Sequence, residues 1–135
     1  MKVLTICQPY AELIARGEKR VENRTWRTSY RGPLAIHAGK SRKYMDDGDD
    51  DEFPDMVFGA VIATVELIDV VAWPSPLSAA RYRWLRNHEH VEGPWCFILG
   101  DVWRIAPTIP LIGQRGIFDV PVLAATKTGA YMAVD

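Results

Sequence analysis

Punctuation dominates this chain: nine prolines and ten glycines divide it into short runs rich in Val, Ile and Leu. Runs of that kind bounded by turn residues are strands, and they leave little room for long helices. Lys2 to Cys7 is the first strand. Gln8-Pro9 breaks it, and Pro9 suits the opening turn of a helix over Tyr10 to Arg16, whose buried side draws on Ala11, Leu13, Ile14 and Ala15. Gly17 stands where a helix C-terminal glycine belongs. Strands follow at Arg20 to Trp26 and Leu34 to Ala38, separated by a turn at Ser29 to Pro33, and Val57 to Trp73 reads as a long or bent strand, or as two. Pro76 to His90 reads as a helix with Leu77, Ala80, Trp84 and Leu85 on its core face. The last third returns to strands at Trp95 to Leu99, Val102 to Ile105 and Gly116 to Val120. Short strands, few helices and no regular strand and helix alternation predict an α+β domain on a curled, largely antiparallel sheet. One domain is expected over residues 1–121, with 122–135 a C-terminal tail of little chemistry and some mobility.

At 135 residues and 48% hydrophobic, the chain has the size of one domain and can bury more than half of its unfolded surface without staples. Cys7 and Cys96 both sit inside apolar runs, where free cysteine packs as a small hydrophobe. Their spacing argues against a disulfide scaffold or a zinc site and fits a reducing compartment. The longest nearly uncharged run, Met56 to Val65, is too short to cross a bilayer. A cytoplasmic protein without membrane contact is the expectation.

The net charge of -1 hides an asymmetry: residues 1–45 hold ten basic and three acidic residues, while Asp46 to Asp55 hold seven acids and no base. A basic third attracts a polyanion whatever the total, because an approaching phosphate feels the local field. Trp26 and Tyr30 stand among those arginines, as aromatic rings do where bases stack and phosphates are held. The acidic stretch reads as a loop polar enough to be partly disordered.

Within the basic third, residues 17–24 read Gly-x-Lys-x-x-Glu-x-Arg. In a strand, residues two apart share a face, so Glu22, Arg24 and Trp26 project together, Lys19 bends over the same face from the helix end, and Val21 and Asn23 point the other way. The bland alternative is an exposed ion pair worth at most about 1 kcal/mol. Charges are too costly to bury singly, so the cluster is expected to meet a partner from outside the core.

Four motifs in order carry a family resemblance: Gln8-Pro9-Tyr10, then Gly17-x-Lys19-x-x-Glu22-x-Arg24, then His37-Ala38-Gly39, and finally Gly113-Gln114-x-Gly116-Ile117-Phe118. Together they resemble the ASCH domain of the PUA-like superfamily, from the first strand to Pro121. The resemblance implies a small, curled, mostly antiparallel β-barrel with two or three short helices and a cleft beside the first helix, in a superfamily that binds RNA or modified nucleobases. Some members are ribonucleases, and others are amidohydrolases acting on N4-acetylcytidine. The amidohydrolase pattern pairs a lysine base with a threonine three residues later and a distant glutamate. Lys19 matches it, Glu22 stands where the hydroxyl should be, and Glu66 is the match for the glutamate. A carboxylate there could activate water while Lys19 stabilises an oxyanion.

The remaining candidates have plainer readings. His37, inside an apolar strand, is a satisfied core histidine, and His88 and His90 lack metal spacing. The acidic run lacks the closing glutamate of an EF-hand. Gly39-Lys40-Ser41 reads as a phosphate-contact segment, and Trp73, Trp84, Trp95 and Trp103 as core or rim aromatics. The expectation is therefore an RNA- or nucleotide-binding barrel in which Trp26 stacks a base, Arg24, Lys40 and Ser41 meet phosphate, and Glu22 accepts from a base amine. On the enzyme alternative, Lys19, Glu22 and Glu66 are the catalytic candidates for a ribonuclease or an amidohydrolase on acylated nucleosides. A protein-interaction module is the third class. No cofactor or metal is expected, and a divalent ion would enter only with a ribonuclease.

Overall fold

The computed structural model describes residues 1–121, 123–125 and 131–133. The elements are β1 (Lys2–Ile6), α1 (Tyr10–Ala15), β2 (Val21–Arg24), β3 (Gly32–Ala38), α2 (Asp49–Glu52), β4 (Ala60–Ala72), α3 (Pro76–Arg81), a 3-10 helix (Arg83–Asn87), β5 (Trp95–Pro110), β6 (Ile117–Asp119), β7 (Leu123–Ala125) and β8 (Tyr131–Ala133). Six strands form one mixed sheet in the order β2-β5-β4-β3-β1-β6, and β7 pairs with β8. Within the six-stranded sheet, β1 runs parallel to β3 and every other neighbour is antiparallel.

Bulges give the sheet its curl. Between Val61 and Ala63 of β4 the register on β5 jumps from Ile109 to Arg104, and further shifts fall at Val65/Leu67 and Leu67/Asp69. Extra residues on one strand of a pair bend it and raise its twist. The sheet rolls until one edge strand, β2, meets β1, where Arg24 Nη2 donates to the Thr5 carbonyl at 2.9 Å. The result is a curled half-barrel with three short α-helices.

Alternation places the cores. Leu4, Leu34 and Ile36 join Ala11, Ile14, Val65, Phe97 and Leu99 in the main cluster, while their neighbours Val3 and Ala35 pack with Val61, Ile105, Ile109 and Phe118. Covered on both faces, β1 and β3 read as continuous apolar runs rather than alternating ones. Val21, Val71, Leu85, Cys96 and Ile98 make a third cluster beneath the 3-10 helix.

Several expected elements come out differently. The basic strand stops at Arg24, so Trp26 lies beyond it, and the two strands expected over 95–105 are one, β5. The helix expected over Pro76 to His90 breaks at Tyr82 (φ -125°, ψ 80°), a turn that lets the Tyr82 hydroxyl donate to Asp69 Oδ2 at 2.7 Å. The break re-aims the face: Leu77 is 83% exposed and Ala80 is exposed, while Ser78, Ala79 and Leu85 are buried. On α1, Glu12 is buried in place of Leu13 because Arg104 and Arg16 both pair with its carboxylate. The acidic run forms α2 and buries Phe53, with the Arg16 guanidinium 4.5 Å over the Phe53 ring. In the expected tail, residues 122, 126–130 and 134–135 lie outside the described residues. Among the described residues no helix is long and apolar enough to cross a membrane.

Candidate nucleic-acid cleft

Beside α1 opens a cleft of about 640 Å³. Its floor comes from the end of β1 (Thr5, Ile6) and Cys7 after it, from Lys19 and from β2, and its walls from Lys43 and Tyr44 on one side and residues 89–92 on the other. Lys19 reaches the floor because the chain folds back after α1. Gly17 takes φ +79°, and the amides of Glu18 and Lys19 both donate to the Leu13 carbonyl, at 3.0 and 3.1 Å.

Only 4% of Lys19 is exposed, and Glu22 is buried beside it. Lys19 Nζ donates to Glu22 Oε1 at 2.7 Å and to the Val21 carbonyl. Glu22 Oε2 accepts from Arg24 Nε at 3.1 Å and Nη2 at 2.8 Å. The exposed ion pair considered from the sequence is thus corrected to a buried one, whose cost is met by pairing within the chain. Two cations share one carboxylate, so the floor keeps one positive charge.

Asn23 points to the other side of β2, as strand alternation expects, yet it builds a wall of the cleft. Its Nδ2 donates to the His90 carbonyl at 2.7 Å, and its Oδ1 accepts from the amides of Glu92 and Gly93, each at 2.9 Å. Gly93 has φ +85°, and a Cβ there would lie 2.3 Å from the Trp73 carbonyl oxygen, so no other residue passes this point without a shift.

Aromatic rings line the mouth. Tyr10 and Tyr44 have centroids 5.6 Å apart at 57°, and His90 meets Tyr10 edge-on at 6.4 Å. Lys19 Nζ lies 5.8 Å from the Tyr10 centroid, and Lys43 Nζ 4.8 Å from that of Tyr44. Burial first, then the charge of Asp46 and lesser contributions from Tyr44, Glu92 and Asp49, pushes the Tyr10 phenol above its ordinary range, so it remains a neutral donor. Behind the floor, His37 is 1% exposed. Its Nε2 is 2.6 Å from the Leu111 carbonyl and so carries the proton, leaving Nδ1 to accept from Thr5 Oγ1 at 3.1 Å. Burial lowers its pKa, against the raising effect of the Leu111 hydrogen bond. Gly113, from the last sequence motif, packs so close that a Cβ would lie 2.8 Å from Thr5 Oγ1.

Of the candidate site residues, the structure brings Lys19, Glu22 and Arg24 together in the cleft. Trp26 stands outside it, packed edge-on against Phe97 at 5.2 Å because β2 ends before it. Lys40 and Ser41 are exposed and do not line the cleft, whereas Lys43 and Tyr44 do. Glu66, opposite Pro33 in the sheet, is not among the lining residues either. The sequence alone does not single out Tyr10, Asn23, Lys43 or Tyr44 as lining a site, and it raises His90 only as a metal ligand without the spacing for one. Tyr10 and Asn23 lie inside the quoted motifs, while nothing near Tyr44 marks it. Among the described residues no group of three or more His, Cys, Asp or Glu is arranged to hold a metal.

A curled half-barrel with a cleft beside its first helix defines a PUA-like domain, and comparison with known proteins narrows this to one family. The model of the ASCH domain matches residues 4–94, and the chain belongs to that family, a PUA-like fold family associated with RNA binding. Human Activating signal cointegrator 1 is 37% identical over 128 residues, covering 85% of this chain and 21% of that protein. The mouse protein of the same name is 38% identical over 82 residues, covering 51% of this chain and 14% of that protein. The chain therefore spans about a fifth or less of these relatives' length. The crystal structure of ASCH from Zymomonas mobilis superposes with a TM-score of 0.52 at 21% identity, covering 82% of this chain and 73% of that one. This likeness shows the fold.

Proposed function

We propose that this domain binds RNA by taking an unpaired nucleobase into the cleft at whose mouth Tyr10 and Tyr44 stand. The observation that carries the reading is the buried Lys19, Glu22 and Arg24 network, which sets one surplus positive charge at the foot of an aromatic-lined opening. Lys19 spends two donors inside the chain and keeps a third, and among the described residues Arg24 Nη1 has no protein acceptor. Those N–H groups suit base carbonyl oxygens or phosphate, and the remaining lone pairs of Glu22 suit an exocyclic amine. Tyr10 and Tyr44 take the stacking role expected of Trp26. The family's association with RNA supports the same reading. The hydrolase alternatives find no specific support in this geometry: Glu22 replaces the hydroxyl, its carboxylate is held by two cations, and Glu66 lies off the cleft.

Binding of short single-stranded RNA by fluorescence anisotropy tests it. Tyr44 is 48% exposed, so Tyr44→Ala is expected to keep the melting temperature while removing a stacking contribution of about 1 to 3 kcal/mol. Affinity is also expected to fall with salt, with a log-log slope of about 0.7 per phosphate neutralised. Unchanged affinity in the variant, or none of the salt dependence, removes the proposal and favours a protein-interaction module.

A further inference from the structure

The aromatic line that begins at Tyr44 and Tyr10 continues beyond the cleft. After His90, the ring of His88 follows at 5.6 Å, Trp84 at 5.5 Å and Tyr82 at 6.3 Å, so six rings from three separate segments form one unbroken row. Cations sit on it at intervals: Lys43 over Tyr44 and Lys19 over Tyr10 at the cleft, then the Arg20 guanidinium 4.2 Å over Trp84 and that of Arg81 5.5 Å over Tyr82. Of the eight such cation and ring pairs among the described residues, four lie on this one row. Tyr82 and Trp84 do pack on the third apolar cluster, which accounts for part of the row. Here none of the six rings is fully buried, and Lys43, Arg20 and Arg81 are exposed.

We propose that this row is a track for single-stranded RNA running out of the cleft, with bases stacked on the rings and phosphates held by Lys43 and Arg20, while Arg81 stays paired with Asp69 at 3.3 Å. The proposal rests on the RNA reading of the cleft and extends it to a site several nucleotides long. Single strands are specified because a duplex hides the base faces that the rings would meet. His88 suits a neutral stacking role: its Nε2 accepts from the Arg20 amide at 3.0 Å, which an imidazolium could not do. Glu89 and Glu92 flank His90 at the cleft wall, so the phosphates are expected on the Arg20 side of the row.

The test compares uridine 5′-monophosphate with hexauridylate on the full chain. Hexauridylate is expected to bind at least about tenfold more tightly, because several stacking contacts add. Trp84→Ala is expected to weaken hexauridylate about 5- to 150-fold while changing the mononucleotide less than about twofold. Arg20→Gln, which removes an exposed charge and is expected to leave the fold intact, lowers the salt slope for the hexamer by about 0.7. It keeps the test open if Trp84→Ala melts. A hexamer bound no more tightly than the mononucleotide, or bound by both variants as by the wild type, overturns the track and leaves the cleft reading standing. Hexamer binding weakened by these variants upholds the track, and the cleft reading keeps its separate test in Tyr44→Ala. Binding of neither ligand overturns both.

Discussion

At the scale of single residues, Glu22 carries the most consequence, because one carboxylate, itself buried, offsets two cations at the cleft floor. Removing one partner of a buried pair leaves the other uncompensated, which costs about 3 to 5 kcal/mol. Glu22→Gln is therefore expected to cost about 3 kcal/mol in urea denaturation. Lys19→Met should cost less, since it removes the buried charge itself and Glu22 keeps Arg24. Equal losses below about 1 kcal/mol for both would return the pair to the solvent-exposed case. The spacing of this cluster was legible in the sequence. Its burial was not, because Lys19 lies beside Val65, Leu99 and Val102, which come from strands far away along the chain.

At the scale of elements, the segment His88 to Pro94 is the part of the site that no local pattern announces. It has no regular structure, and the Asn23 side chain ties down its middle across 67 to 70 residues, while the His88 ring and the Pro94 carbonyl accept from the amides of Arg20 and Trp73 at its ends. Asn23→Ala leaves two amides and a carbonyl without partners, at about 1 to 3 kcal/mol for each group that water cannot reach. Hydrogen exchange at the Glu92 and Gly93 amides is expected to speed up, and RNA affinity to fall with it. Gly93→Ala should be worse, since it combines a disfavoured φ with a clash against the Trp73 carbonyl. Slow exchange at both amides in Asn23→Ala would show that something else holds the segment. The long reach explains a sequence-level miss: alternation correctly sent Asn23 away from Glu22, but could not say that a loop wraps the sheet edge to meet it.

At the scale of the whole molecule, acid should act in two stages. His37 and His88 are both held below the ordinary imidazole range, chiefly by burial. A histidine whose folded pKa lies below its unfolded value contributes stability that is present above about pH 6.5 and is lost as pH falls through the folded value. Asp69 follows at lower pH. Burial alone would raise its pKa, but hydrogen bonds from Tyr82 and the Val70 amide, together with Arg81 and Arg31, outweigh it and lower the value. Its contribution is present above about pH 4 and lost below. The melting temperature is expected to hold from pH 8 to 7, decline below about 6.5 and decline again below about 4. His37→Gln, which keeps a donor and an acceptor in place, should flatten the first decline. A level melting curve down to pH 5 would remove the histidine contribution.

The division between sequence and structure follows from the range of the forces involved. Local chemistry alone settles that Pro9 opens a helix, that Gly17 ends it and that Lys19, Glu22 and Arg24 share a surface, because turn geometry and strand alternation act over a few residues. The ordered motifs also pointed to the family, since they record such local needs one after another. Trp26 shows where this stops: alternation keeps it on the face of Arg24 only while the strand lasts, and the strand ends at Arg24. Tyr44, His90 and Trp84 gain their meaning from the roll of the sheet and the path of two loops, which bring rings from positions 10, 44 and 82–90 into one row. Burial, ring-to-ring distance and the shared carboxylate are properties of pairs far apart in sequence, and only folding the chain brings those pairs together.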